Sequence, residues 1–263
     1  MASNRAAAWR PGPSRPRTVR GEVQLWRLET SASGVPLPWE TLSAAERDLA
    51  QGMLSPSGRS EFVVVRAAVR AILGRYLGRA PSTLEFTTGA HGKPSLGGIG
   101  CIKSAESAES LEFNVSHTRG LALVAVTSGH PVGVDVEHVE HVGAACRRHD
   151  ALARRFFTPR ETERISRAAR RSPRLATEAF LRHWTCKESC LKALGVGLSA
   201  PLDAVEVHPA RNEASVGRGD GSGSMSGSAA AWHVETFHPT PEHVAAFAVP
   251  RRPVRVRAWD WCA

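Results

Sequence analysis

The stretch FVVVRAAVRAILGRYLG, residues 62–78, sets the fold class once it is laid beside LATEAFLRHWTCKESCLKALG, residues 175–195. In the first, apolar residues recur at helical spacing through Phe62, Val65, Ala68, Val69, Ile72, Leu73, Tyr76 and Leu77, and the pattern stops at Gly78 with Pro81 beyond. The second predicts a helix over about 175–194 that turns Phe180, Trp184, Leu191 and Leu194 inward and stops at Gly195, with Pro201 beyond. Each helix leads to a short strand, predicted at 84–87 and 205–208, with a glutamate between apolar residues: Leu84-Glu85-Phe86 and Val205-Glu206-Val207. An alanine-rich apolar strand follows later in each case, at 121–126 and 244–249. Two readings account for the likeness. One is coincidence between two common helix–strand units. The other, which we adopt, is a diverged duplication: an α+β fold of two similar α/β halves related by pseudo-twofold symmetry, 21–130 and 131–263, with the boundary near 128–145.

Outside the repeat, residues 1–20 are rich in Pro and Ala and carry Arg5, Arg10, Arg15, Arg17 and Arg20, which predicts a flexible basic leader. The Gly/Ser run at 217–228 predicts a flexible loop. A formal charge of +9 calls for an anionic partner but does not choose between nucleic acid, membrane surface, phosphorylated substrate and acidic protein. No stretch approaches the roughly 20 apolar residues that span a bilayer, so the expectation is a soluble cytoplasmic protein with no membrane partner. Five cysteines without paired spacing argue against a disulfide framework or a structural zinc site.

Three clusters carry residues suited to chemistry. In Gly133-Val134-Asp135-Val136-Glu137, a period of two puts both carboxylates on one side of an extended segment. Two hard oxygen ligands there suit Mg²⁺ together with substrate phosphates; the solvated face of an edge strand would read the same way. In Trp184-Thr185-Cys186-Lys187-Glu188-Ser189-Cys190-Leu191-Lys192, Glu188 and Lys192 project from one helix face, a turn beyond Trp184. That spacing often serves only the helix, but the shared tryptophan stripe turns the pair inward, where a metal or phosphate would offset desolvation. Gly92-Lys93-Pro94 forms a turn that aims Lys93 at a ligand, and Ser116-His117, ending Phe113-Asn114-Val115-Ser116-His117, can donate to phosphate oxygens.

In this order and spacing the clusters resemble the 4′-phosphopantetheinyl transferase superfamily, in the branch of two fused halves that activates nonribosomal peptide and polyketide synthases. The resemblance covers 92–197, with weaker likeness around Arg66 and Arg70. It implies a monomer with its active site in the cleft between the halves. The enzyme would transfer the 4′-phosphopantetheine arm of coenzyme A to a serine of an acidic acyl or peptidyl carrier protein, releasing adenosine 3′,5′-bisphosphate. It implies that Asp135, Glu137 and Glu188 hold Mg²⁺, that Lys192 neutralises the pyrophosphate, that Ser116 and His117 meet phosphates, and that Gly92, Lys93 and Pro94 border the adenine. Trp184 and Asn114 would be architectural, and Lys187 would either support the carboxylates or touch phosphate. Serine attack on a phosphoanhydride needs charge neutralisation and a base, for which Glu188 and a metal-bound water are the two candidates.

One position departs from the family pattern. Glu61 stands where a basic residue for the 3′-phosphate is usual, leaving Arg59 or Arg47 to substitute. A magnesium-dependent nuclease is the rival from another class, although such sites keep acid and lysine at adjacent strand positions. A nucleic-acid-binding module is disfavoured, because few aromatics accompany the basic residues.

Overall fold

The computed structural model describes residues 8–30, 37–89, 92–97, 110–139, 146–197, 201–217 and 230–262. The fold mixes helices and strands around two five-stranded sheets. The first has the order β1 (Arg10–Pro11), β12 (Arg255–Asp260), β2 (Glu22–Glu29), β6 (Leu121–Ser128), β5 (Leu111–Thr118). The second runs β7 (Gly133–His138), β11 (His243–Val249), β10 (Ala230–Phe237), β9 (Glu213–Val216), β8 (Val205–His208). A small hairpin, β3 (Phe86–Thr88) with β4 (Pro94–Leu96), stands apart. The helices are α1 (Ala44–Gln51), α2 (Pro56–Leu77), α3 (Cys146–Phe156), α4 (Pro159–Ala169) and α5 (Pro173–Leu194).

Period-two alternation explains the layering. Along β6, Leu121, Leu123 and Ala125 pack with Val134, Val136, Ala245 and Phe247 of the second sheet. Their neighbours Ala122, Val124 and Val126 pack under Val69, Ile72, Leu73 and Tyr76 of α2. On β11, Ala246 and Ala248 meet Cys186 and Cys190 of α5. The layers are therefore α2, sheet, sheet, α5, and strands buried on both faces read as unbroken apolar runs. At the edge where β5 meets β7, side chains replace the missing ladder: Asn114 Oδ1 accepts the Val134 N–H (2.9 Å) and Ser116 Oγ accepts the Val136 N–H (3.3 Å).

The two long helices start and stop by the same means. A serine caps each N-terminus (Ser55, Ser172), proline follows at once, and a left-handed glycine ends each (Gly78 φ 62°, Gly195 φ 70°). A buried cation eight residues before each of those glycines fastens the helix. Arg70 pairs with Glu46 (2.6 Å) and donates to the carbonyls of Pro81 and Leu84 (both 2.9 Å). Lys187 pairs with Glu161 (2.8 Å) and donates to the carbonyls of Leu202 (3.0 Å) and Val205. Both glutamates close a capping box at the start of the preceding short helix, with Ser43 and Thr158 respectively.

Several expectations are corrected. The last strand, β12, does not stay with 131–263; it lies in the first sheet, parallel to β2 and β1. Within the expected flexible leader, Arg10–Pro11 pairs with β12, Trp9 lies under the Arg27 guanidinium (4.6 Å), and the Arg17 carbonyl accepts from Gln24 (2.6 Å). The strand expected at 84–87 begins at Phe86, because Leu84 is drawn into the α2 core. Leu194, expected inward, is 40% exposed. Residues 1–7 of the leader, most of the Gly/Ser run (218–228) and the connector 140–145 lie outside the described residues.

Candidate active site

The site begins at Gly133. A Cβ there would stand 1.9 Å from the Ser189 carbonyl oxygen and 2.5 Å from the Ala193 nitrogen, so α5 lies directly on β7 at this point. Only glycine permits that approach. With Val134 and Val136 turned between the sheets, Asp135 and Glu137 face α5. Glu188 and Lys192, on the helix face either side of the contact, meet them there.

Lys192 Nζ lies 2.6 Å from Asp135 Oδ1 and 2.9 Å from Ser116 Oγ, and Ser116 Oγ–H donates to the same Asp135 oxygen at 3.0 Å. Strand β5, strand β7 and helix α5 thus converge on one carboxylate. The Trp184 indole donates to Glu137 while its ring stacks on Phe180 at 5.8 Å. Burial, and then the charge of Asp135, pushes the Glu137 and Glu188 carboxyls up to about 7, with Lys192 opposing. Three acids facing one ammonium leave a deficit of positive charge.

The residues expected to hold Mg²⁺ are therefore together. Buried oxygens Asp135 Oδ2 and Glu188 Oε1 have no hydrogen-bond partner, and an acceptor without a donor in a desolvated site is what a hard cation would satisfy. Among the described residues no three such side chains already stand at ligating distances. Lys192 occupies the third oxygen, Asp135 Oδ1. The donor set fits Mg²⁺ once that ammonium turns towards an anion.

The remaining candidates are placed as follows. Lys93 donates from Nζ to the Ala193 carbonyl (3.0 Å) at the C-terminal end of α5, and burial lowers its pKa against the pull of Glu112. Gly92 takes a positive φ (84°) and Pro94 opens β4, so the turn stands beside that helix end. His117 is open to solvent at the end of β5; partial desolvation lowers its pKa, Glu61 opposes this and Lys192 reinforces it. Glu61 accepts from Thr30 Oγ1 (3.1 Å). Neither proposed substitute for it is idle: Arg47 donates to the carbonyls of Leu42 (2.8 Å) and Trp39 (3.4 Å), and Arg59 to that of Met53 (2.9 Å). Lys187 turns away from the site and is fully buried on Glu161. Reading the sequence missed Glu161. Its one signal, the Thr158-Pro159-Arg160-Glu161 capping box, marks a helix start and gives no hint of a partner on α5.

A family model of the 4′-phosphopantetheinyl transferase superfamily matches residues 131–248. The chain is 36% identical over 201 residues to the 4′-phosphopantetheinyl transferase HetI of Nostoc sp., covering 76% of this chain and 79% of that protein. It is 30% identical over 139 residues to the 4′-phosphopantetheinyl transferase Sfp of Bacillus subtilis, covering 53% and 54%. It is 33% identical over 157 residues to the L-aminoadipate-semialdehyde dehydrogenase-phosphopantetheinyl transferase of Xenopus laevis, covering 55% and 49%. With its carboxylates gathered between β7 and α5, the chain belongs to the 4′-phosphopantetheinyl transferase superfamily.

Proposed function

We propose that the protein acts as a monomer and moves 4′-phosphopantetheine from coenzyme A to a serine hydroxyl of an acidic carrier protein in a Mg²⁺-dependent reaction, releasing adenosine 3′,5′-bisphosphate. The observation that carries this reading is the convergence of Asp135, Glu137 and Glu188 on Lys192 and Ser116 where the two sheets meet. We read the chain as two related halves, with the reaction centre in the cleft between them.

Asp135, Glu137 and Glu188 would hold the Mg²⁺, which when bound offsets charge on the pyrophosphate. Lys192 leaves Asp135 for a pyrophosphate oxygen and neutralises the charge that builds on the leaving group. Ser116 and His117 offer hydrogen bonds to phosphate, and the Gly92–Pro94 turn borders the adenine. Glu188, which meets the acids of β7 from α5, would take the proton of the incoming serine hydroxyl. The nucleophile comes from the carrier.

The test is to incubate the protein with Mg²⁺, coenzyme A and apo carrier proteins of fatty-acid, polyketide and peptide synthases and to weigh each carrier. The expected result is a gain of one phosphopantetheine that Asp135→Ala abolishes; unchanged masses across all three would refute the proposal. The nuclease reading has no such support, since Lys192 reaches the acids from a helix facing the strand.

A further inference from the structure

Lys187, one residue from the candidate base, and its partner Glu161 are both fully buried, and no part of the proposed chemistry uses them. All three ammonium hydrogens of Lys187 have acceptors: Glu161 Oε2 at 2.8 Å, the Leu202 carbonyl at 3.0 Å and the Val205 carbonyl. The Phe157 ring lies 5.4 Å from the same Nζ. Glu161 is equally committed. Its Oε1 accepts the Val207 N–H (2.7 Å) and its Oε2 the Thr158 N–H (2.8 Å). The pair ties together the start of α4, the middle of α5 and strand β8.

A buried ion pair adds little stability over apolar residues of the same volume, because desolvation offsets the attraction. Its directional bonds can, however, fix the rotation of a helix. Successive residues on a helix are about 100° apart, so Lys187 grips β8 and α4 while Glu188 and Lys192 face β7. A side-chain group sits about 5–6 Å from the helix axis, so a rotation of about 20° would move the Glu188 carboxylate and the Lys192 ammonium by about 2 Å. A displacement of about 1 Å can lower a rate by about 10²-fold.

We propose that Lys187 and Glu161 are positioning residues: their buried pair locks the rotation of α5 and thereby sets Glu188 and Lys192 against Asp135 for transfer. This rests on the reaction proposed above.

The test compares the parent with the double variant Glu161→Gln/Lys187→Met, in which glutamine keeps an acceptor for Val207 and no charge is left buried. Circular dichroism and thermal melting measure the folded fraction, and kcat is expressed per folded molecule. The expected result is a folded protein whose kcat is at least roughly tenfold lower, with the carrier KM within about threefold of the parent. A merely structural pair would reduce the folded fraction and leave kcat per folded molecule alone; a kcat within about twofold of the parent overturns the proposal. If the double variant does not fold, Glu161→Asp, which keeps the charge and shortens the reach, serves in its place: a lower kcat at unchanged carrier KM supports the lock, and a parental kcat refutes it. A parent that transfers nothing refutes the underlying reaction instead.

Discussion

Glu188→Gln should make the metal-free protein more stable while abolishing transfer. The Glu188 carboxyl is raised from 4.5 to about 7 by burial and the charge of Asp135, against the pull of Lys192. A folded-state value above the unfolded one means that the folded protein holds the extra proton. The stability this confers is present below pH 4.5 and is lost as pH rises through 7. By pH 8 the ionised group costs the whole difference, about 2.5 pH units at ~1.4 kcal/mol each, or ~3 kcal/mol before screening. Residual solvent access and sharing of charge with Glu137 reduce this to about 1–2 kcal/mol. Glutamine keeps the shape, carries no charge and can donate to the unpartnered Asp135 Oδ2. For a chain of this size the gain corresponds to a rise of about 3–6 °C in Tm at pH 8. The assay is thermal unfolding of both proteins in chelator at pH 5 and pH 8, where a gain at pH 8 that shrinks to about a quarter at pH 5 is expected. A loss of stability at pH 8, or an equal change at both values, would show that the carboxylate is not strained by its surroundings.

Gly133→Ala should cost about 1–3 kcal/mol in denaturant melts and lower transfer, because the new methyl meets backbone atoms of Ser189 and Ala193 and must lift α5 from the carboxylates. Tyr76→Phe should cost about 1–3 kcal/mol, with kcat per folded molecule unchanged, because it leaves the buried Trp26 N–H without its acceptor (2.9 Å) in the core beneath α2. Transfer to carriers should slow as salt rises from low to moderate, since a chain of charge +9 would steer an acidic partner from a distance; rates indifferent to salt would refute that.

The readable parts of the fold and site were those written in local pattern. Alternation placed Asp135 and Glu137 on one face, helical spacing placed Glu188 beside Lys192, and the terminal glycines ended both long helices as expected. What escaped depends on contacts distant in the chain. Lys187 reads like any polar helix residue until α4 brings Glu161 to it. Arg47 reads as a free cation, yet the turn before α1 offers it two carbonyls. In β12, Arg255 to Asp260, the alternation is clear but says nothing about which sheet receives it, because a parallel partner can lie any distance back along the chain.

That last strand changes what a domain boundary means in this protein. The chain crosses from the first sheet to the second after residue 128 and returns at 255, where β12 lies between β1 and β2 and pairs with Glu22 to Arg27 of β2. A nick in the connector between the sheets would therefore not free two separate bodies, since the downstream fragment would still supply a strand to the upstream one. The first half expressed alone would instead bare the flank of β2 from Glu22 to Arg27, an open edge suited to pairing with another chain. The protein is laced rather than hinged, and its natural unit of folding is the whole chain.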